Sequence, residues 1–78
     1  MTNMRDLNEG DLLRLAKRFR RQAGKTRAQA AREMGVSQTS IFNAEENPAQ
    51  SLARLRERMI EAYSPYKIVR RILLVKRG

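Results

Sequence analysis

The run from Gly35 to Pro48, Gly-Val-Ser-Gln-Thr-Ser-Ile-Phe-Asn-Ala-Glu-Glu-Asn-Pro, carries side chains suited to binding rather than to breaking bonds. Gln38 and Asn43 are amides that offer a donor and an acceptor side by side, Thr39 offers a hydroxyl, and Phe42 offers a flat apolar ring. Such groups can read the edges of nucleic-acid bases. At about 100° per residue, Ile41 and Ala44 fall on one side of a helix that begins after Ser37. Thr39, Phe42, Asn43 and Glu46 point away from that side, with Gln38 on the shoulder. Bond-making chemistry has little to work with. The chain has no Cys and no His, which removes disulfides, Cys/His zinc sites, thiol nucleophiles and imidazole acid–base catalysis. Tyr63 or Tyr66 among arginines suggests at most a tyrosine recombinase, but such enzymes need a much larger cage around the nucleophile, and no paired carboxylates stand ready. No enzyme, metal or cofactor is expected.

The elements that must hold this face are legible from spacing and caps. From Asn8, an N-cap residue, Leu12, Ala16, Phe19 and Ala23 recur at helical spacing with Leu15 beside them, and Arg14, Lys17, Arg18, Arg20 and Arg21 take the outer positions. Gly24-Lys25 breaks that helix. Thr26 with Gln29 three residues later forms a capping box that opens a second, whose inner face is Ala30, Ala31 and Met34. Gly35 stands where a left-handed C-terminal cap is wanted, and Ser37 caps the third helix. Asn47-Pro48 ends it, because the residue before proline is pushed out of helical geometry. Leu52, Leu55, Met59, Ala62 and Tyr63 then mark the inner side of a fourth helix, with Arg54, Arg56, Glu57, Arg58 and Glu61 outside, and Ser64-Pro65 stops it.

Residues 1–7 show no pattern and are expected to form a mobile arm. The tail from 64 to 78 is basic and β-branched. Ile68, Ile72 and Val75 would line one face of a fifth helix, yet Ile68-Val69 and Ile72-Leu73-Leu74-Val75 favour a strand. A lone strand leaves its backbone unpaired, so the strand or extended-arm reading, which we prefer, makes the tail a device for pairing with a second copy or another partner, through Ile68, Ile72 and Leu74.

The totals narrow the function. Seventeen Lys and Arg against eight Asp and Glu give a net charge of +9 on 78 residues, a balance that attracts polyanions, nucleic acid first. Arginines outnumber lysines thirteen to four, which leans toward phosphate and base edges, because a guanidinium donates in pairs. A chain this short buries only about 60% of its unfolded surface, so a long catalytic cleft is not expected. The longest apolar run, Ile72-Leu73-Leu74-Val75, falls far short of the roughly 20 residues of a membrane span, and Met1-Thr2-Asn3-Met4 lacks the apolar core of a signal peptide. A cytoplasmic protein without membrane contact is expected.

The pattern Ala30-Ala31-x-x-Met34-Gly35-Val36-Ser37-x-x-x-Ile41-x-x-Ala44 resembles the helix-turn-helix of the phage repressor and Cro-like (XRE-type) family. Thr26 looks like the threonine that opens the motif's first helix, and the resemblance covers about Asn8 to Tyr63. It implies an all-α domain over 8–63, of four to five helices once the tail is considered, that binds double-stranded DNA as a homodimer with its third helix in the major groove. By position the resemblance makes Gln38, Thr39, Phe42 and Asn43 the base-reading set, though Gln38 and Thr39 also read as ordinary solvated first-turn residues and Phe42 as a ring folded into a crevice beside the fourth helix. Thr26, Arg27, Gln29 and Ser37, at two helix N-termini, can donate to phosphates, and Thr26 and Ser37 can cap at the same time. Lys25 is a further phosphate candidate, and Asn47 and Gln50 resemble the family's other backbone-contacting region. Two departures stand out: Arg27 occupies the place where the family usually has Gln, and the tail replaces the helices that usually follow. The reading is a transcriptional regulator, a repressor, encoded by a bacterium or phage and nucleoid-associated when bound. The alternative is an antitoxin or control subunit whose tail pairs with a partner protein.

Overall fold

The computed structural model describes residues 7–69, which fold into four helices: α1 (Glu9–Gln22), α2 (Arg27–Met34), α3 (Gln38–Glu46) and α4 (Ala53–Tyr63). No strand occurs among the described residues, and none of their helices is long and apolar enough to cross a membrane. The architecture is the all-α one expected.

The first three helices start where their caps predict, and α4 opens after Leu52 without a side-chain cap. Asn8 accepts from the Asp11 N–H at 2.8 Å while the Asp11 carboxylate accepts from the Asn8 N–H at 3.1 Å, a reciprocal box at the head of α1. Thr26 and Gln29 repeat it on α2, at 3.1 and 2.8 Å. Ser37 accepts from the Ser40 N–H at 3.1 Å to open α3. Gly35 sits at φ 70°, ψ 36°, the left-handed conformation that closes α2 and turns the chain sharply into α3. The Val36 N–H then donates back to the Ala31 carbonyl at 3.0 Å.

The helices meet through small residues. Ala16, Ala30 and Ala44 have no exposed surface, so α1, α2 and α3 approach closely, and Leu12, Met34, Ile41, Leu55, Met59 and Ile60 fill the space between them. α1 runs against α4 over the most extensive contact of the fold, and α2 and α3 rest on that pair.

Four inner–outer assignments are corrected. Arg56, placed on the outside of α4, is 0% exposed, whereas Ala62 and Ala23, placed inside, are exposed. The buried face of α4 is Leu55, Arg56, Met59 and Ile60, turned by roughly 40° from the stripe drawn through Leu52, Leu55, Met59, Ala62 and Tyr63, with Leu55 and Met59 common to both. The reason is the guanidinium of Arg56: it donates to the carbonyls of Ala44 (2.9 Å), Asn47 (2.9 Å) and Gln50 (3.1 Å) and reaches the Glu9 carboxylate at 3.2 Å. It satisfies backbone acceptors at the end of α3 that would otherwise be buried without partners. Arg20, expected on the outer side of α1, is also buried.

Beyond α4, residues 64–69 adopt neither helix nor strand. The Tyr66 ring lies 5.7 Å from that of Phe19, and Ile68 is half-buried against the core, its N–H donating to Glu61 at 2.8 Å. Ile72, Leu74 and the arm before Leu7 lie outside the described residues.

Truncation of Arg56 tests this cap. Arg56→Ala should lower the unfolding free energy by about 3 kcal/mol, the scale of several charge-assisted hydrogen bonds lost to buried carbonyls. Arg56→Lys should recover only part, since one ammonium lacks the fork that spans these acceptors. Urea titration reads both, and an alanine variant with an unchanged midpoint would show that water caps α3 equally well.

Candidate nucleic-acid interface

α3 is held on one side and free on the other. Ile41 and Ala44 are fully buried, while Gln38, Thr39 and Phe42 are exposed and Asn43 is half-buried. The division follows from the 3.6-residue period once Ile41 is locked beneath Ala44. Phe42 does not fold into a crevice: it keeps 48% of its surface exposed.

Glu45, one residue past Ala44, is 1% exposed and carries the heaviest electrostatic duty in the structure. One of its oxygens accepts from Arg20 Nη2 of α1 at 2.9 Å and from Arg27 Nε of α2 at 3.0 Å; the other accepts from Arg20 Nε. Arg20 also donates to the Lys25 carbonyl at 2.7 Å, pinning the turn between α1 and α2. A single carboxylate thus joins three helices. Desolvating it alone would cost several kcal/mol, and two guanidinium groups meet that cost with charge and correctly aimed hydrogen bonds.

Glu46, on the solvent side, accepts from Arg27 at 2.7 Å and from Lys17. The Lys17 hydrogen bond, aided by the charges of Lys17 and Arg27, holds the Glu46 carboxyl below its ordinary value of 4.5. Arg27 has its guanidinium carbon 5.0 Å from the centre of the Phe42 ring, within cation–π range. Arg27, Phe42, Glu45 and Glu46 are therefore one connected group.

The remaining phosphate candidates divide. Thr26 and Gln29 use their side chains on each other's backbone N–H groups, and Ser37 uses its hydroxyl on Ser40. Each still stands at a helix head, where first-turn N–H groups have no intrahelical partner. Lys25 reaches the Glu33 carboxylate at 2.8 Å, a group that also accepts from the Tyr63 hydroxyl at 2.6 Å. Lys25 and Tyr63 hold the Glu33 carboxyl low, while partial burial and then Glu33 push the Tyr63 phenol up. Asn47 and Gln50 sit together past α3, both giving a carbonyl to Arg56, and Asn47 accepts from the Ala49 N–H at 3.2 Å in a side-chain turn. The guanidinium of Arg27 is committed to Glu45 and Glu46.

The residues that fix the site were not singled out from the sequence: Arg20, Glu45, Arg56, and Arg58, which donates to the Met34 carbonyl at 2.8 Å. Arg56 and Arg58 place cationic donors from α4 at the carboxyl ends of α3 and α2, where the helix dipole favours them. A signal for Glu45 was present. It falls about 40° from Ile41 around the helix, on the inner flank, where a carboxylate needs a cation.

Two measurements probe this network. Glu45→Ala should destabilise the fold by about 3–5 kcal/mol, because Arg20 is left buried and unpaired, and the Arg20→Ala, Glu45→Ala double variant should lose clearly less than the sum of the singles. Additive losses in a urea double-mutant cycle would deny the coupling. For pH, the depressed Glu46 and Glu33 values mean that their stabilisation is complete above the ordinary 4.5 and is lost as pH falls through the lower folded-state values. Glu46→Gln should flatten the acid limb of a stability–pH curve, and a variant curve parallel to the parent's below pH 4.5 would contradict the assignment.

This chain matches no family model, no curated protein and no solved structure.

Proposed function

We propose that this chain is a sequence-specific double-stranded-DNA-binding transcriptional regulator, a repressor of the phage repressor and Cro-like kind, that acts as a homodimer and reads the major groove with α3. One observation carries the reading: α3 is anchored by Ile41, Ala44 and Glu45 and holds Gln38, Thr39 and Phe42 clear of the protein. A helix fixed on one side, with amides and a hydroxyl on the other, suits base-edge recognition, because the geometry needs no ordering when DNA arrives.

The charge supports the same reading. α3 itself contains no Lys or Arg, while the chain carries +9 overall. Long-range attraction to phosphates comes from elsewhere on the surface, and discrimination comes from neutral groups on α3. The heads of α2 and α3, which Thr26, Gln29 and Ser37 cap, offer the other first-turn backbone N–H groups to phosphates, and Lys25, Asn47 and Gln50 are further contacts on either side. Two copies would set their α3 helices about one duplex turn, ~34 Å, apart. The protein would work in the cytoplasm, on the nucleoid, without cofactor or catalysis.

A second reading draws on Tyr66 and Val69, which are 64% and 76% exposed at the start of the tail. In it the same fold is an antitoxin or control subunit and the tail grips a partner protein. Deleting residues 66–78 separates the two: loss of partner binding with an intact helical core favours the second.

Selection of duplexes from a random pool tests the first. Gln38→Ala and Asn43→Ala should each reduce preference for the selected site by ~1–3 kcal/mol, the scale of a bidentate base contact, with binding to random duplex nearly intact. Equal losses on selected and random DNA would remove α3 as the reading element.

A further inference from the structure

We propose that Phe42, propped by Arg27, is the group that selects a thymine at one position of the bound site, by packing against the C5-methyl in the major groove. The inference rests on the DNA-binding reading of α3 and adds the chemistry that one of its residues recognises. Among the described residues four large apolar side chains are exposed, Leu7, Phe42, Tyr66 and Val69, and of these Phe42 alone lies in a helix. It stands on the outward side of α3 with Gln38 and Thr39, which are exposed too.

The ring is also held. The Arg27 guanidinium lies 5.0 Å from its centre, and Arg27 in turn is gripped by Glu45 at 3.0 Å and Glu46 at 2.7 Å. The Glu45 side chain is fully buried on Arg20. A chain of fixed contacts therefore runs from the interior to an aromatic ring in solvent. With its guanidinium matched by two carboxylates, Arg27 is a positioning residue that sets the ring rather than an anchor for phosphate.

Among polar amides, a rigid apolar ring can complement only an apolar feature of the duplex. In the major groove that feature is the methyl group on thymine C5, and cytosine lacks it. Gln38, Thr39 and Asn43 would pair with neighbouring base edges while the ring excludes water from the methyl.

The test uses the whole chain and a duplex selected from a random pool of 20 base pairs. Each thymine of the selected duplex is replaced singly by deoxyuracil, which removes the methyl and nothing else. One position per half-site should lose roughly fivefold to tenfold in affinity, the low end of what one methyl in a fitted apolar pocket contributes. Placing 5-methylcytosine rather than cytosine in that position should restore part of the loss caused by the base change. In Phe42→Ala the ratio between thymine and deoxyuracil duplexes should fall to about one. Arg27→Lys keeps the charge and gives up the planar stack, so that ratio should fall while the salt dependence of binding stays as in the parent.

No sensitive thymine in the parent protein, or an unchanged ratio in Phe42→Ala, overturns this inference and leaves the DNA-binding reading standing. Failure to enrich any duplex overturns the DNA-binding reading itself, and the methyl-reading role with it. The deoxyuracil series needs no variant, so a misfolded substitution cannot blur the outcome.

Discussion

A carboxylate removed from water must find cations at hydrogen-bonding distance, and in this fold that requirement falls on Glu45. Its partners, Arg20 and Arg27, come from positions 25 and 18 residues earlier in the chain. Satisfying it fixes α1, α2 and α3 against one another in a way that apolar contacts, which have no preferred direction, do not. Rotate α3 by a third of a turn and Ile41 meets solvent while Glu45 loses both guanidinium groups. The outward set on α3 is thus determined from inside. Arg27 transmits the constraint to the surface, since the grip that neutralises Glu45 also lays its guanidinium beside Phe42.

The carboxyl ends of the two short helices raise the same issue in another form. α2 and α3 have eight and nine residues, so a large share of their carbonyls are terminal and lack intrahelical donors. Gly35 disposes of some by its left-handed turn, and α4 supplies donors to others through Arg58 on Met34 and Arg56 on Ala44 and Asn47. An apolar residue at position 56 would pack there but leave those acceptors dry. α4 therefore acts less as one more greasy rod than as a carrier of cationic donors, and the buried charge of Arg56 is tolerated because Glu9 and several carbonyl dipoles surround it.

What was legible in the sequence was local. The Asn8, Thr26 and Ser37 caps, the Gly35 turn, the Pro48 stop and the inner residues Ala30, Ala31, Met34, Ile41 and Ala44 depend on neighbours within four positions, and periodicity finds them. What failed was the side of the helix on which each arginine lies. Hydropathy treats Arg as outward, yet its three-carbon stem packs like an aliphatic chain while the head reaches partners elsewhere. Arg20 and Arg56 do this, and their acceptors are distant in sequence or are backbone carbonyls that no residue type announces. Misplacing Arg56 turned the α4 stripe toward Ala62 and hid Ile60. At the site, the exposure of Gln38, Thr39 and Phe42 followed from the period, but the commitment of Arg27 to Glu45 and Glu46 needed the tertiary packing of α2 on α3.

These internal pairings also redistribute charge over the surface. Glu9, Glu33, Glu45 and Glu46 are each taken up by a named cation, whereas Arg18, Arg21, Arg32 and Arg54 are exposed and make no ion pair among the described residues. None of the four lies on α3. For a helix meant to distinguish bases this separation is useful: a lysine or arginine among Gln38, Thr39 and Asn43 would bind any phosphate or guanine within reach and raise affinity for every sequence alike. Neutral amides gain only where donor and acceptor both match, and they lose hydration where they do not. In the proposed role, the unpaired arginines bring the protein to DNA without regard to sequence, and the neutral groups Gln38, Thr39 and Asn43 of α3, rigid because Glu45 is satisfied beneath them, decide where it stays.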